Sequence, residues 1–413
     1  MNVHSPSSLH LPLQNHLIPA TITLEASKSI SNRVLILDAL CKQQSTLENL
    51  SEARDTQIML ALLNESGPVW DAQDAGTTLR FLTAYGALTG QVKEITGTSR
   101  MQHRPIKILV DALREIGADI EYIAQEGFPP IQVKGFAEQL QQTVTISGDV
   151  SSQYLSALLM MAPSLPQGLI LQISGKLMSR PYVNMTLKLM QQFGIDHQWE
   201  GSRITISPQQ YQPAQILVEA DWSAASYWYS MVALGGSEIT LLGLQDTSLQ
   251  GDRQIANIME PLGVHSRFHE GGVTLIPEEP LVDELEYDFS NCPDLAQTVL
   301  SLCAVTGITC RASGLESLYI KETDRIAAMQ CELGKVGAKL EEQSTGWLLT
   351  PTEELPEDPI RFHTYEDHRM AMALAPLALR FPLIIEDPLV VNKSYPSFWQ
   401  DLAQAGLVSE TVS

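Results

Sequence analysis

The sequence has few basic residues for its length. Its 413 residues include 26 lysines and arginines against 48 aspartates and glutamates, which gives a formal net charge of −22. A chain this acidic is not expected to bind nucleic acid or an anionic membrane as its main partner. A local cationic pocket is still possible, because a pocket depends on where a few side chains lie.

The cysteine patterns of disulfide frameworks and zinc sites are also missing. The five cysteines are scattered through apolar segments, and no two have C-x-x-C spacing. Free thiols in a reducing compartment are the simplest interpretation, which favours a cytoplasmic protein.

No uninterrupted apolar run is long enough for a membrane span. The most apolar stretch, "MAMALAPLALRFPLII", is broken by Pro376, Arg380 and Pro382. The N-terminal segment lacks the basic region and apolar core of a secretory signal, so none is expected.

Several catalytic and nucleotide-binding motifs are absent. The sequence has no Walker A motif and no G-x-G-x-x-G after a strand, so nucleotide binding is not supported. It has no H-E-x-x-H zinc motif and no G-x-S-x-G elbow. His363 and His368 have no partners at metal-ligand spacing, and His368 alone would usually be structural.

What the sequence does contain is a repeat. Segments such as "LVDALREIGADIEYI" and "LKLMQQFGIDHQWE" are amphipathic helices that end near a glycine and lead into an alternating, strand-like segment. The repeat glycines are Gly117, Gly194, Gly263 and Gly337, with weaker matches at Gly67 and Gly406. The pattern predicts six α/β units, and the short interval from Gly67 to Gly117 predicts that one unit has lost a strand or two. Candidate joints before "ASKSIS" and near "VEADWSAAS" would divide the chain about in half.

Basic residues are concentrated where helices are predicted to start. Ten of the 26 lie there: Lys28, Arg33, Arg80, Arg100, Arg104, Arg180, Lys321, Arg325, Arg369 and Lys393. In "YIKETDRIAAM", Lys321 and Arg325 are expected on one face of a helix start, an unfavourable place for two cations. Helix N-termini bind anions and arginine forks fit phosphate and carboxylate, so the placement predicts a cationic cavity for a multiply anionic small molecule.

Two acidic residues lie among these cations. Asp294 and Glu322 are each predicted at a helix start, where nearby cations keep a carboxylate ionised. An ionised aspartate can act as a general base toward a hydroxyl group. The structural alternatives remain open from these residues alone: Asp294 can simply favour the helix dipole, and the serines and threonines can simply be N-caps.

The ordered motifs "SKSISNR", "AGTTLR", "RMQHRPI", "SSQYLSALLM", "SRPY", "KETDR", "EDHRMAM" and "KSYP" resemble those of the 5-enolpyruvylshikimate-3-phosphate synthase family. The resemblance covers Lys28 to Lys393 and implies an α/β fold of two domains, each with three βαβαββ-type units, one unit shortened. The implied domains are residues 1–20 with 222–413, and residues 21–221, with the active site in the cleft between them. The implied reaction transfers the enolpyruvyl group of phosphoenolpyruvate to the 5-hydroxyl of shikimate 3-phosphate and releases phosphate through a tetrahedral intermediate. No metal or organic cofactor is implied, and a monomer is expected.

The resemblance also implies roles for individual residues. The residues implied to bind shikimate 3-phosphate are Lys28, Ser29, Arg33, Ser151, Ser152, Gln153, Ser179, Tyr182, Asp294, Ser317 and Lys321. The residues implied to bind phosphoenolpyruvate are Lys28, Gly76, Arg104, Gln153, Arg325, His368, Arg369 and Lys393. The implied catalytic residues are Asp294 as base, Glu322 as the acid acting at the methylene carbon, and Lys28 and Lys393 as stabilisers of charge.

The sequence departs from the family pattern at a few positions. Asp74 stands where asparagine is usual, Phe81 where proline is frequent, and Ser317 where asparagine is usual. Glu25 and Ala26 replace a Pro-Gly pair. No departure removes a charged group from the implied chemistry.

Two alternative functions fit the sequence less well. The related UDP-N-acetylglucosamine enolpyruvyl transferases carry a cysteine in the loop corresponding to "TGTSRMQHRP" and lack "KETDR", and neither feature matches this sequence. A non-catalytic protein that binds a phosphorylated metabolite would be expected to lose an acid or base, yet Asp294, Glu322 and Lys393 are all present.

Overall fold

The computed structural model describes residues 8–412. The chain forms two compact units: a discontinuous unit that contains the described residues up to Ala26 and again from Glu219, and a continuous unit, Ser27–Val218. The expected domain limits were residues 20 and 221. No helix among residues 8–412 is long and apolar enough to cross a membrane.

The continuous unit has three sheets and six helices among the described residues. Its elements are α1 (Lys28–Ala39), β3 (Thr46–Glu48), α2 (Arg54–Leu63), β4 (Val69–Asp71), α3 (Gly76–Thr89), β5 (Lys93–Thr96), α4 (Lys107–Glu115), β6 (Ala118–Tyr122), β7 (Ile131–Phe136), β8 (Thr143–Ser147), α5 (Ser152–Met161), β9 (Leu169–Ser174), α6 (Arg180–Gln192), β10 (Gln198–Glu200), β11 (Arg203–Ile206) and β12 (Gln215–Leu217). Two strands precede this unit in the chain, β1 (Ser8–Leu11) and β2 (Ala20–Thr23), and both belong to the discontinuous unit.

The discontinuous unit continues after β12. Its further elements are α7 (Trp222–Gly235), β13 (Ile239–Leu242), α8 (Ile255–Met259), β14 (Val264–His269), β15 (Gly272–Pro277), β16 (Glu284–Asp288), α9 (Ala296–Thr306), β17 (Thr309–Ser313), α10 (Arg325–Gly334), β18 (Lys339–Gln343), β19 (Gly346–Thr350), β20 (Ile360–Phe362), α11 (His368–Leu374), β21 (Leu383–Glu386), α12 (Phe398–Gln404) and β22 (Glu410–Val412). Short 3-10 helices that matter for the site span Gly251–Gln254, Pro293–Leu295, Glu316–Ile320 and Pro388–Lys393.

One sheet pattern recurs through the described residues. The four-stranded sheets have the orders β2-β13-β15-β14, β16-β17-β19-β18, β20-β21-β1-β22, β4-β5-β7-β6 and β8-β9-β11-β10. In each, the first two strands are parallel, the third pairs antiparallel with the second, and the fourth pairs antiparallel with the third. One α-helix joins the two parallel strands in four of these sheets, whereas the chain also forms the continuous unit between β2 and β13. In the sheet of β2 and β13, Ile239 pairs with Ala20 and Leu242 with Thr23. This is the predicted βαβαββ unit, and the predicted fold class is confirmed.

The sixth sheet contains only β3 and β12, which are parallel and pair Leu47 with Ile216. Helices α4 and α6 are each followed by an antiparallel pair of strands, β6–β7 and β10–β11. Helix α2 ends at Leu63 and β4 begins at Val69, so the short connection around Gly67 has no room for such a pair. The predicted loss of strands from one repeat is therefore confirmed.

Glycines end most of the repeat helices. Five of the six repeat glycines have positive φ: Gly117, Gly194, Gly263, Gly337 and Gly406. At Gly117 the φ angle is 112°, and a Cβ would lie 2.3 Å from the backbone oxygen of Glu138, so a larger residue would clash there. Gly67, the weaker match, is not in the left-handed region.

Each unit has buried helices that are apolar around most of their circumference, as expected for core helices. In the discontinuous unit, α7 and α11 both pack against α9, and Trp222, Trp228 and Phe289 are fully buried. In the continuous unit, α3 packs against α1 and α5. These helices also carry the site residues at or near their N-terminal ends, so core packing fixes where those residues lie.

One expected helix start is wrong. Helix α10 begins at Arg325, because the Asp324 side chain caps it by accepting from the backbone N–H of Ala327. Lys321 follows the 3-10 helix Glu316–Ile320 instead, so it does not share a helical face with Arg325.

Candidate active site

The residues implied by the sequence are divided between the two units. The continuous unit carries Lys28, Ser29, Arg33, Gly76, Arg104, Ser151, Ser152, Gln153, Ser179 and Tyr182. The discontinuous unit carries Asp294, Ser317, Lys321, Glu322, Arg325, His368, Arg369 and Lys393.

Arg325, the first residue of α10, is the centre of the set in the discontinuous unit. Its Nε donates to Asp367 Oδ2 at 2.7 Å, and its Nη2 donates to Asp367 Oδ1 at 3.3 Å. Its Nη1 donates to Asp294 Oδ1 at 2.8 Å, and its Nη2 also donates to Glu322 Oε2 at 2.9 Å. One buried guanidinium thus joins carboxylates from three separate segments. We call these four residues the Arg325 network.

Buried carboxylates and a buried guanidinium each lose hydration, and their pairing offsets that cost. Arg325 has only 1% of its surface exposed. Burial lowers the pKa of its guanidinium, but Asp367, Glu322 and Asp294 raise it more, so the net pKa lies above the ordinary value. Arg325 therefore remains a cation.

Asp294 lies in the 3-10 helix Pro293–Leu295, directly before α9. Besides Arg325, its Oδ2 accepts from Arg369 Nη2 at 3.1 Å, and Lys321 Nζ lies 3.5 Å from its Oδ1. Burial raises the pKa of the Asp294 carboxyl, but the charges of Arg369, Lys321 and Arg325 outweigh burial and hold the pKa well below its usual range. Asp294 is therefore an ionised carboxylate surrounded by three cations.

Glu322 and Lys393 form a second contact of this set. Lys393, the last residue of the 3-10 helix Pro388–Lys393, is 4% exposed, and its Nζ lies 3.6 Å from Glu322 Oε1. Glu322 accepts from Arg325 through its other oxygen. The carboxylates of Asp294 and Glu322 thus contact the same guanidinium, and each also faces a lysine.

The loop before α11 positions Asp367 by an unusual backbone conformation. Tyr365 and Glu366 both have φ of 54°, in the left-handed region that costs about 1–2 kcal/mol for a residue other than glycine. Asp367 follows as N-cap of α11 and accepts from the backbone N–H of Arg369 at 2.9 Å. One carboxylate therefore caps α11 and also binds Arg325.

His368 and Ser317 lie in the same unit. His368 is the first residue of α11 and is 2% exposed, with its Nδ1 3.7 Å from Asp367 Oδ1. Ser317 is in the 3-10 helix Glu316–Ile320, and its Oγ is buried without a hydrogen-bond partner among residues 8–412.

In the continuous unit, Arg33 links three helices. Its Nε donates to Thr186 Oγ1 on α6 at 2.8 Å, its Nη2 to Ser156 Oγ on α5 at 3.1 Å, and its Nη1 to the backbone oxygen of Ser29 at 2.8 Å. The Tyr182 ring lies 5.9 Å from its guanidinium carbon. Burial lowers the pKa of Arg33 to about 10, which still leaves it a cation at neutral pH.

Lys28, the first residue of α1, pairs with a buried carboxylate. Its Nζ lies 3.3 Å from Asp55 Oδ2, and the backbone oxygen of Asp55 accepts from Thr78 Oγ1 at 3.0 Å. Asp55, in α2, thereby connects Lys28 to the first turn of α3.

The first turn of α3 meets two arginines at Gly76. A Cβ at this position would lie 2.6 Å from Arg104 Nη1 and 2.8 Å from Arg80 Nη1, so a larger residue would displace these guanidinium groups from their present positions. Arg80 Nη1 donates to the oxygen of Gly76 at 3.1 Å and to Gln153 Oε1 at 2.8 Å. Gln153 Nε2 donates to Thr77 Oγ1 at 2.9 Å, which joins α5 to the same turn.

The implied serines lie at helix starts. Ser151 is the N-cap of α5 and accepts from the backbone N–H of Gln153, and Ser152 is the first residue of that helix. Ser179 is the N-cap of α6 in the left-handed conformation, with φ of 53°, and makes no side-chain cap. Helix capping therefore explains the position of Ser151. It does not explain the strained backbone of Ser179, whose side chain caps no helix.

Sequence reasoning missed several partners of the implied residues. They are Asp55, Thr77, Thr186, Ser223, Tyr227, Asp252 and Asp367. Asp367 stands inside a quoted motif and could have been selected on that ground. Asp55 and Asp252 carry no local signal, because each is identified only by a partner distant in the chain.

The site residues of the continuous unit and those of the discontinuous unit both combine buried cations with paired carboxylates. Each set can therefore bind polyanions and move protons. Among residues 8–412, no group of three or more histidine, cysteine or acidic side chains could hold a metal ion.

Comparison with known proteins gives consistent matches. The family model described as EPSP synthase (3-phosphoshikimate 1-carboxyvinyltransferase) matches residues 14–69 and 64–402. A 3-phosphoshikimate 1-carboxyvinyltransferase of Bacteroides fragilis (strain YCH46) is 48% identical over 394 residues, which cover 94% of this chain and 96% of that relative. The corresponding protein of Neisseria meningitidis serogroup B is 36% identical over 421 residues, covering 95% and 97%.

A solved structure gives the fold independently. EPSP synthase from Acinetobacter baumannii superposes with a TM-score of 0.77 at 18% identity, covering 98% of this chain and 100% of that one. At this identity the match shows the fold alone, and the sequence matches over nearly the whole chain show the family. The chain belongs to the EPSP synthase (3-phosphoshikimate 1-carboxyvinyltransferase) family.

Proposed function

We propose that this protein transfers the enolpyruvyl group of phosphoenolpyruvate to the 5-hydroxyl of shikimate 3-phosphate and releases phosphate, as a step of aromatic amino-acid biosynthesis. The observation that carries the proposal is the Arg325 network, in which one guanidinium holds both proposed proton-transfer groups, Asp294 and Glu322. A binding protein has no need of two carboxylates placed in this way, whereas the transfer reaction needs two proton movements.

In the first half of the reaction, Asp294 takes the proton of the 5-hydroxyl as the hydroxyl oxygen bonds to C2 of phosphoenolpyruvate. As phosphoenolpyruvate pairs with Lys393 and offsets its charge, Glu322 takes up a proton from solvent and gives it to the methylene carbon, which becomes a methyl group. In the second half, the methyl group returns a proton to Glu322, the bond from C2 to the phosphate oxygen breaks, and the double bond re-forms. The proton held by Asp294 leaves with the phosphate, so both carboxyl groups return to their starting states. No redox change or additional reactant is required.

The environment of Asp294 makes its basicity depend on the substrates. Without them, the three neighbouring cations hold its pKa low, so it is a weak base. Anionic substrates that pair with Arg369 and Lys321 would neutralise part of this charge and raise the pKa toward that of a useful base. Proton abstraction would then occur mainly when both substrates are bound.

The cations supply binding and charge stabilisation. We propose that Lys321 binds shikimate 3-phosphate, and that Arg369 and Lys393 bind phosphoenolpyruvate. Arg325 already donates four hydrogen bonds to carboxylates, which leaves one of its five N–H groups for substrate. Removing one stabilising donor from such a site commonly costs about 10²–10³ in turnover.

We propose corresponding roles in the continuous unit. There Ser29, Arg33, Ser151, Ser152, Ser179 and Tyr182 would serve shikimate 3-phosphate, and Gly76 and Arg104 would serve phosphoenolpyruvate. Lys28 and Gln153 would contact both substrates. Ser317 and Asp294 would add contacts to shikimate 3-phosphate, and His368 a contact to phosphoenolpyruvate.

We further propose that the enzyme is cytoplasmic and monomeric, and that it needs no metal or organic cofactor. The free state of all five cysteines is consistent with a reducing compartment. Gel filtration with light scattering would test the monomer.

A phosphate-release assay tests the function directly. Phosphate should appear only when both substrates are present, and chelation with EDTA should not change the rate. Release with UDP-N-acetylglucosamine in place of shikimate 3-phosphate would instead favour the related transferase. Tight binding of both substrates without phosphate release would identify a non-catalytic binding protein.

A further inference from the structure

A buried carboxylate outside the quoted motifs lies behind Arg369. Asp252, in the 3-10 helix Gly251–Gln254, is 2% exposed. Its Oδ2 accepts a hydrogen bond from Ser223 Oγ. Its Oδ1 is buried and has no hydrogen-bond partner among residues 8–412. A buried carboxylate that is only partly satisfied costs folding free energy, and such groups are concentrated at functional sites.

Ser223 connects this carboxylate to the proposed site. Because the Ser223 hydroxyl gives its proton to Asp252, its lone pairs are directed at other donors, and it accepts from Arg369 Nη2 at 3.2 Å. The same Nη2 donates to Asp294 Oδ2 at 3.1 Å. Arg369 Nη1 donates to the Tyr227 hydroxyl at 3.3 Å. The guanidinium is thus fixed by Ser223 and Tyr227 while it contacts Asp294.

Asp252 and Asp294 also interact through their charges. Burial, followed by the charge of Asp294, raises the pKa of Asp252 to about 6, although Arg369 and Ser223 oppose the rise. The interaction between two carboxylates is mutual, so ionised Asp252 favours proton uptake by Asp294. Cys292 also faces Asp252, and it is a neutral thiol because burial, then Asp252, raises its pKa to about 12. Asp221 is the remaining charged neighbour.

We propose that Asp252 is a positioning residue for the transfer reaction: through Ser223 it fixes the Arg369 guanidinium against Asp294, and its negative charge opposes the cations around Asp294. The inference rests on the proposed function, because it assigns Asp252 a part in the same proton transfer. Protonation of Asp252 removes the opposing charge and weakens the acceptor of the Ser223 proton. Turnover should therefore fall as the pH decreases through about 6.

The test compares the wild type with Asp252→Asn, Ser223→Ala, the double variant and Asp283→Asn, which removes a carboxylate from an exposed position. Phosphate release gives kcat and both KM values from pH 5 to 8. Asp252→Asn should lower kcat at pH 7.5 about tenfold to a hundredfold, since small displacements of a reacting group carry losses of this size. KM for shikimate 3-phosphate should change less than about threefold, and Asp283→Asn should match the wild type.

Thermal unfolding distinguishes this role from a purely structural one. Ionised Asp252 destabilises the fold above its pKa, so Asp252→Asn should unfold at an equal or higher temperature at pH 7.5 while its turnover falls. The wild-type decline in kcat below pH 6 should be absent from this variant. The double variant should lose no more turnover than the more impaired single variant, because Asp252 and Ser223 act through the same series of hydrogen bonds.

Three results would overturn the proposal: wild-type kcat in Asp252→Asn, an unchanged acid limb in its pH profile, or independent additive losses in the double variant. If Asp252→Asn does not fold, the Ser223→Ala variant is the test by itself. Wild-type turnover in Ser223→Ala would contradict the proposed connection from Asp252 through Ser223 to Arg369. Absence of phosphate release from the wild type itself would instead refute the proposed function.

Discussion

Arg325 Nη1 donates a 2.8 Å hydrogen bond to Asp294 Oδ1, between a side chain that is 2% exposed and one that is 12% exposed. The same guanidinium binds Glu322 and Asp367. Acid, base and cation are therefore held in one rigid arrangement, and a change at any member should affect the others.

Asp294→Asn should retain the fold and shikimate 3-phosphate binding, and it should lose turnover. Asparagine keeps an oxygen that can accept from Arg325, but it cannot take up a proton. We expect kcat to fall about 10²–10⁴-fold, the range of general base catalysis. Phosphate release measures the loss, and calorimetric titration checks shikimate 3-phosphate binding. Asp358→Asn, at an exposed position, is the matched control. Near-normal turnover in Asp294→Asn would remove Asp294 from the role of base.

Gly76→Ala should impair phosphoenolpyruvate use more than shikimate 3-phosphate use. The new Cβ would lie 2.6 Å from Arg104 Nη1, so the guanidinium must move away. We expect KM for phosphoenolpyruvate to rise about tenfold, equivalent to about 1.4 kcal/mol of lost binding. The control is Gly334→Ala in α10, where a Cβ meets nothing within 4 Å and alanine favours the helix. A larger rise in KM for shikimate 3-phosphate would contradict the assignment of Gly76 and Arg104.

The acid side of the stability profile should depend on Asp294. Its folded-state pKa is below the unfolded value, so its stabilising contribution is present above about pH 4 and is lost as pH falls through the folded pKa. Asp294→Asn should therefore be less stable than the wild type at pH 7, by about 3 kcal/mol, the cost of removing one partner of a buried ion pair. Urea unfolding at several pH values measures the difference, which should narrow below pH 4. A difference that is constant down to pH 2.5 would show that Asp294 does not titrate in this way.

Glu332→Gln should reduce turnover without touching substrate. Glu332 is fully buried in α10, and it accepts from the Tyr365 hydroxyl at 2.7 Å and from the backbone N–H of His363 at 3.1 Å. These contacts hold the strained residues before Asp367. We expect a loss of about 1–2 kcal/mol in stability and a several-fold loss in kcat. Glu357→Gln, at an exposed position, should match the wild type in both measurements. A Glu332→Gln variant with unchanged kcat would show that the loop keeps its conformation without this anchor.

Local sequence signals predicted the repeat, and they selected several of the side chains that contact one another in the structure. The helix–glycine–strand pattern was sufficient for six units, and the short interval after Gly67 located the missing pair of strands. The motif "KETDR" selected Lys321, Glu322 and Arg325. The sequence did not predict the start of α10 correctly, because the capping side chain of Asp324 competed with a helical pattern that extended to Lys321.

The sequence by itself determined which charges the protein carries, which segments are apolar, and which polar groups begin the helices. These properties depend on residues a few positions apart, where local propensity and periodicity act. Only the tertiary structure decided which charges meet. Arg325 binds Asp294 and Asp367, which lie 31 and 42 residues away in the sequence. Asp252 is connected to Arg369 through Ser223. Such pairings arise when packing of the core helices brings their N-terminal ends together. A local sequence pattern contains no information about which helix ends will lie close in space.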